Sequence, residues 1–75
     1  MATIIDVQAD VAGKVWKIEA KAGDDLQADD TILILESMKM EIPIGAPEPG
    51  KLAELLVEEE EAVEEGQTVA RLSVE

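Results

Sequence analysis

Thr31-Ile32-Leu33-Ile34-Leu35-Glu36-Ser37-Met38-Lys39-Met40-Glu41-Ile42-Pro43-Ile44 is the stretch on which the fold turns. By local rules it is one long strand, for β-branched and apolar residues fill it and no Gly, Asn or Asp is present to build a tight turn. The rest of the chain contradicts that reading. Thr31-Ile32-Leu33-Ile34-Leu35 aligns with Thr68-Val69-Ala70-Arg71-Leu72, and Gly13-Lys14-Val15 aligns with Gly50-Lys51-Leu52. Gly13 to Gly50, Thr31 to Thr68 and Leu35 to Leu72 are each 37 residues apart, so no gap lies between these anchors. Residues 1–37 therefore repeat as 38–74, with the seam between Ser37 and Met38. A chain that ends one copy and begins the next must change direction there. A tight hairpin through Met38-Lys39 does this. Two residues with side chains at such a turn imply strained dihedrals, and strain of this kind is retained where function needs it. The pseudo-twofold pairs the seam with the chain termini, so Lys39 is expected at an exposed tip and both termini at the opposite pole.

Each copy reads as short strands separated by turns. The first strand is expected from Ile4 to Ala9. A second, Lys14 to Ala20, alternates Trp16, Ile18 and Ala20 with Lys17, Glu19 and Lys21, the period of two that marks a half-buried strand. That phase makes Trp16, the only aromatic residue, a core anchor. Ala22-Gly23-Asp24-Asp25 is a turn, Leu26 a very short strand, and Thr31 to Glu36 a central one. The second copy echoes this order: a strand over 41–46, a Pro47-Glu48-Pro49-Gly50 turn, a strand running to Val57, the Glu58 to Glu65 stretch with Ala62-Val63 inside it, and a last strand from Thr68 to Val74. Leu52 to Glu65 is also rich in helix formers. Its counterpart, Lys14 to Asp30, holds Val, Trp and Gly where a helix would avoid them, so strand is the reading. The expected product is one all-β domain over 1–75, two quasi-symmetric four-stranded halves (1–37 and 38–74) forming a flattened sandwich or barrel.

Composition narrows the chemistry. The hydrophobic share of 47% is ample for a folded core in so short a chain. There is no Cys and no His, which removes disulfides, thiol nucleophiles, histidine triads and the usual zinc sites. Glu36 and Glu41 could be read as paired acid/base carboxylates. No pocket-forming signal accompanies them, and a non-catalytic protein with no metal is expected. The net charge of −12 repels nucleic acid phosphates and anionic lipid, so neither is expected as a partner. Such a surface suits meetings with basic patches on other proteins. The Glu58 to Glu65 run reads as a solvated face. Met1-Ala2-Thr3-Ile4-Ile5-Asp6 lacks the basic start and apolar run of a signal peptide, and no apolar stretch approaches transmembrane length. A cytoplasmic monomer is the expectation.

Glu36-Ser37-Met38-Lys39-Met40 resembles the attachment motif of biotinyl domains, in which Ala, Val or Ser precedes Met-Lys-Met. The likeness covers nearly the whole chain, including Gly13, the Ala22-Gly23-Asp24 turn, Gly50 and Gly66-Gln67. The following Glu41-Ile42-Pro43-Ile44 is similar to the small stand-alone biotin/lipoyl attachment type. The resemblance implies a flattened eight-stranded barrel of two quasi-symmetric sheets with the modified lysine on a tight hairpin. It implies covalent biotin on Lys39, with Met38, Met40, Ser37 and Glu36 forming the site around it. It also implies three protein partners. A biotin protein ligase would present biotinyl-adenylate to the Lys39 amine. A biotin carboxylase would then load carboxylate using bicarbonate and ATP, and a carboxyltransferase would pass it to an acceptor, often an acyl-CoA. A lysine amine with the ordinary pKa of ~10.4 is almost wholly protonated at pH 7, so activation falls to the ligase and display to the carrier. The lysine in series with the biotin acyl chain would act as a tether that raises effective concentration at partner sites. A lipoyl carrier on the same lysine, or a dual acceptor, is the alternative; lipoyl domains usually read Asp-Lys-Ala there, so the two methionines favour biotin. The chain departs from the family at Asp29 and Glu60, which stand where turn glycines are usual, and in having no proline before Gly13. The halves align without insertion, so the protruding thumb of some acetyl-CoA carboxylase carriers is expected to be absent.

Overall fold

A computed structural model describes residues 3–74 and places eight strands in them: β1 (Thr3–Gln8), β2 (Gly13–Ile18), β3 (Asp25–Leu26), β4 (Thr31–Ser37), β5 (Met40–Gly45), β6 (Gly50–Leu55), β7 (Ala62–Val63) and β8 (Thr68–Val74). Every strand of the second copy begins and ends 37 residues after its counterpart in the first. The stretch from Leu52 to Glu65 is strand and turn, as the repeat required, and no thumb interrupts either copy. Among the described residues no helix is long and apolar enough to cross a membrane. The expected polar opposition of the termini concerns Met1, Ala2 and Glu75, which lie outside the described residues. Thr3 and Val74 pair in the register position equivalent to Met40 and Ser37.

The strands form two antiparallel four-stranded sheets, ordered β1-β8-β6-β3 and β5-β4-β2-β7. Each sheet takes two strands from each copy, so the halves interlock and neither could close its core alone. Between the sheets, Val15, Ile32, Leu33 and Leu35 are fully buried, and so are their counterparts Leu52, Val69, Ala70 and Leu72. Burying a Val, Leu or Ile side chain is worth about 1.5–3 kcal/mol, and no polar side chain is buried among the described residues to offset it.

Trp16 is not a core anchor. It is 43% exposed, while Val15 beside it is completely buried. The register explains the reversal: Val15 pairs with Leu35 and Lys17 with Ile34, leaving Trp16 as the extra residue of a β-bulge. One inserted residue breaks the alternation that the 16/18/20 pattern assumed. β6 carries the same bulge at Ala53, the counterpart of Trp16.

The turn departures are accommodated without losing the turns. Asp29 (φ 71°) takes the left-handed conformation of its counterpart Gly66 (φ 83°), and Glu60 (φ 77°) that of Gly23 (φ 98°). Four equivalent turns are pinned alike by a side chain accepting from a backbone N–H three residues earlier. Asp24 accepts from Lys21 at 3.1 Å, Asp30 from Gln27 at 2.8 Å, Glu61 from Glu58 at 3.1 Å and Gln67 from Glu64 at 3.0 Å. The Glu58 to Glu65 run is thus a solvated surface, apart from the buried Val63, in which Glu61 also holds a turn. A left-handed residue with a side chain costs about 1–2 kcal/mol, less for Asp. Nothing lies within 4 Å of a Cβ on Gly66, so any loss there is conformational. Gly66→Ala is expected to lower stability by about 1 kcal/mol and Asp29→Gly to raise it by up to that amount. Thermal melts check both, and a lower Tm for Asp29→Gly would contradict the strain argument.

Candidate functional site

The hairpin that joins the copies is built by pairing on either side of it. β4 and β5 run in register from Ile34 opposite Pro43 through Leu35–Ile42 and Glu36–Glu41 to Ser37–Met40. Two residues are left to turn the chain, Met38 and Lys39, and both have positive φ, 50° and 65°. Positive φ at both central residues is the type I′ turn, whose twist matches that of two-residue hairpins and which favours Asn-Gly. Met-Lys occupies it against local preference. Ser37, partly buried at the base, packs its Cβ about the bare Cα of Gly13 in β2. Met38→Asn is expected to relieve part of the strain and raise Tm by a few degrees, about 0.5–1 kcal/mol. An unchanged or lowered melt would show that the turn is not strained at that residue.

The tip is laid out for access. Met38 is 92% exposed and Met40 64%, in a chain whose other large aliphatic residues mostly face inward. Lys39 between them is exposed and takes no part in the ion pairs found among the described residues. Glu36 and Glu41 face each other across the two strands and are both exposed. Neither lines the recesses beside Asp25, Lys51 or Asp6, and no acidic cluster among the described residues is arranged to hold a metal. The arrangement offers a primary amine on a soft apolar mount, flanked by carboxylates. It has the parts for display rather than for acid/base turnover.

One charge nearby is tied down. Lys14 of β2, in register with Glu36, reaches the Glu60 carboxylate at 2.6 Å. The hydrogen bond to Glu60, then its charge, and more weakly the charge of Glu36, raise the Lys14 pKa above the usual lysine value. The pair's small stabilisation is complete below that usual value and is lost as pH climbs through the raised one. Both groups are largely solvated, so the contribution is minor.

The structure thus brings Glu36, Ser37, Met38, Lys39 and Met40 together at one end of one sheet. Sequence reasoning missed the exposed Trp16 on that same sheet. The signal was present in the counterpart Ala53: a core anchor would not be replaced by alanine while its neighbours Val15 and Leu52 stay large.

The family model Biotin_lipoyl, described as "Biotin-requiring enzyme", matches residues 2–72. The chain is 43% identical over 67 residues to the biotin/lipoyl attachment protein of Bacillus subtilis, covering 89% of this chain and 92% of that one. It superposes on the urea carboxylase of Kluyveromyces lactis with a TM-score of 0.89 at 33% identity, covering 93% of this chain and 6% of that one. A single-chain, multi-domain long-chain acyl-CoA carboxylase matches with a TM-score of 0.88 at 25% identity, over 96% of this chain and 7% of that one. The chain therefore spans nearly all of the Bacillus protein and a small fraction of the two carboxylases.

Proposed function

The chain belongs to the biotin/lipoyl attachment family, and we propose that it is a carrier domain of a biotin-dependent carboxylase, with Lys39 as the residue that takes biotin. One observation carries the assignment of the lysine: the seam of the duplication is a two-residue turn held at positive φ, which sets an unpaired amine in solvent. The residues fit the group. An amide to biotin needs an accessible primary amine with room around it, and Lys39 has both. Met38 and Met40 supply polarizable apolar surface for an incoming ring or enzyme. Bound biotin supplies a ureido ring that accepts and releases carboxylate. The chain itself holds the tether's root rigid through the β4–β5 pairing and leaves the rest free.

In the partner ligase the Lys39 amine gives up a proton and its nitrogen attacks the acyl carbonyl of biotinyl-adenylate, forming the amide and releasing AMP. The carrier then serves a biotin carboxylase and a carboxyltransferase, with an acyl-CoA as the acceptor, as a cytoplasmic monomeric domain spanning 1–75. Support for the acyl-CoA acceptor is the family likeness and the shared fold with the acyl-CoA carboxylase.

Co-expression with a biotin protein ligase, followed by intact mass and a streptavidin blot, tests the reading. One biotinyl group per chain is expected, mapping to Lys39 by peptide sequencing. Because the Bacillus relative is named for both groups, the same chain is also offered to a lipoate ligase; a lipoyl mass with no biotinyl mass would replace the proposal. Reconstitution with the carboxylase and transferase over acyl-CoA, pyruvate and urea identifies the acceptor.

A further inference from the structure

The duplication provides an internal control for the outer face of each sheet. On the β1-β8-β6-β3 sheet, three residues lie in register across three strands: Asp6, Arg71 and Glu54. They form one ion network, with Arg71 reaching Asp6 at 3.3 Å and Glu54 at 3.2 Å. The counterparts on the β5-β4-β2-β7 sheet, also in register, are Pro43, Ile34 and Lys17. The bulge residue that accompanies Lys17 is Trp16, where the other sheet has Ala53. At equivalent places, then, one sheet carries three paired charges and the other a mostly apolar row, Pro43, Ile34 and the bulged Trp16, beside Lys17, which is ion-paired with Glu19. Pro43 and Trp16 in that row are exposed and Ile34 partly so. The row lies on the sheet whose β4–β5 hairpin carries Lys39. On its far side Ile34 and Thr31 border a recess lined also by Glu19, Asp24, Asp25 and Asp30.

We propose that this outer face, from the hairpin through Trp16, Ile34 and Pro43 to the acidic recess, is the docking surface for the biotin protein ligase. The inference rests on Lys39 being the biotinylated residue. Reach selects the ligase among the partners. An unmodified lysine side chain extends only a few ångströms, so the enzyme that acylates it must contact the body of the domain beside the hairpin. Enzymes that act later receive the group at the end of a longer arm. Ile34 lies five residues along β4 from Lys39, roughly 17 Å at the rise of a strand, and a partner footprint of about 800 Å² spans that distance. The complementary surface is an apolar pocket for the indole and proline, with basic side chains opposite the recess. Exposed tryptophans in such settings carry a large share of binding energy.

The test transplants the other sheet's residues: Trp16→Ala, Lys17→Glu, Ile34→Arg and Pro43→Asp together, with Trp16→Ala alone as a milder variant. Both are assayed as full-length unmodified substrates of the ligase, after circular dichroism confirms the fold. The single variant is expected to lose about tenfold in kcat/KM and the fourfold variant more, through KM rather than kcat. Rising salt is expected to lower kcat/KM for the parent. Arg71→Ile, which adds an apolar residue to the opposite sheet, is expected to leave ligation unchanged. Unchanged kcat/KM in Trp16→Ala and in the folded fourfold variant overturns the proposal. So does a concentration-dependent dimer of the parent that the variants abolish, which would make the face a contact with a second copy. So does a defect confined to the carboxylase step. Failure of the parent to accept biotin at all would instead sink the assignment of Lys39.

Discussion

Lys39→Arg is expected to yield a folded chain that takes up no biotin. Arginine keeps the positive charge, the length and the hydrogen-bond donors, so an enzyme that reads charge alone would still bind it. A guanidinium stays protonated at any accessible pH and offers no lone pair to an acyl carbonyl. The side chain is exposed at the tip and in no ion pair among the described residues, so stability should move by less than about 0.5 kcal/mol. The expected readout is complete loss of streptavidin signal and of the mass increment, with an unaltered melt. Four other lysines, 14, 17, 21 and 51, are present as internal competitors. Lys14 and Lys17 are ion-paired, and none of the four is in the two-residue β4–β5 turn that presents Lys39. Biotin appearing on any of them in the Lys39→Arg chain would show that presentation on the hairpin does not select the acceptor.

Gly50→Ala is expected to be the most damaging small substitution in the fold. A Cβ at Gly50 would stand 2.5 Å from the Ser73 carbonyl oxygen and 3.2 Å from Cγ of the buried Leu72. Both neighbours are fixed: Ser73 lies in β8, which pairs with β1 on one side and β6 on the other. Neither can retreat without moving a strand through the core. The counterpart Gly13 has the same approach, 2.7 Å to the Glu36 carbonyl oxygen, so the twofold demands glycine twice. Overpacking costs about 1–3 kcal/mol, and contact with a fixed backbone oxygen puts this substitution at the upper end, about 3 kcal/mol. In a domain of this size that lowers Tm by roughly 12–24 °C, measurable by calorimetry. Gly13→Ala should also displace Glu36 and Ser37 at the base of the hairpin and slow biotin uptake, whereas Gly50→Ala acts on stability alone. Equal melts for parent and Gly50→Ala would mean that β6 and β8 do not approach as closely as described.

Much of this was readable from residue order. The match of Gly13-Lys14-Val15 with Gly50-Lys51-Leu52 placed a bend inside a segment that every local preference marks as straight, and the bend carries Lys39. The turn at Gly23 followed from its residues, and the absence of helix in the acidic run from requiring both copies to behave alike; the short strand at Ala62–Val63 came only with the structure. Trp16 did not follow. Its alternation with Ile18 and Ala20 is a sound period-two signal that a bulge overrides, and only the small counterpart Ala53 marks the exception.

A repeat of 37 residues determines which strands are twins and where the chain must reverse, because shared anchor residues and apolar patterning lead to the same local structure. It says nothing of which strands become neighbours. Only the folded molecule decided that each sheet draws two strands from each copy, that Met38 and Lys39 take left-handed dihedrals, and that Trp16 faces water. Those outcomes depend on cross-strand pairing and close backbone approach between distant residues, and the core that closes between the sheets outweighs the few kcal/mol of strain they require.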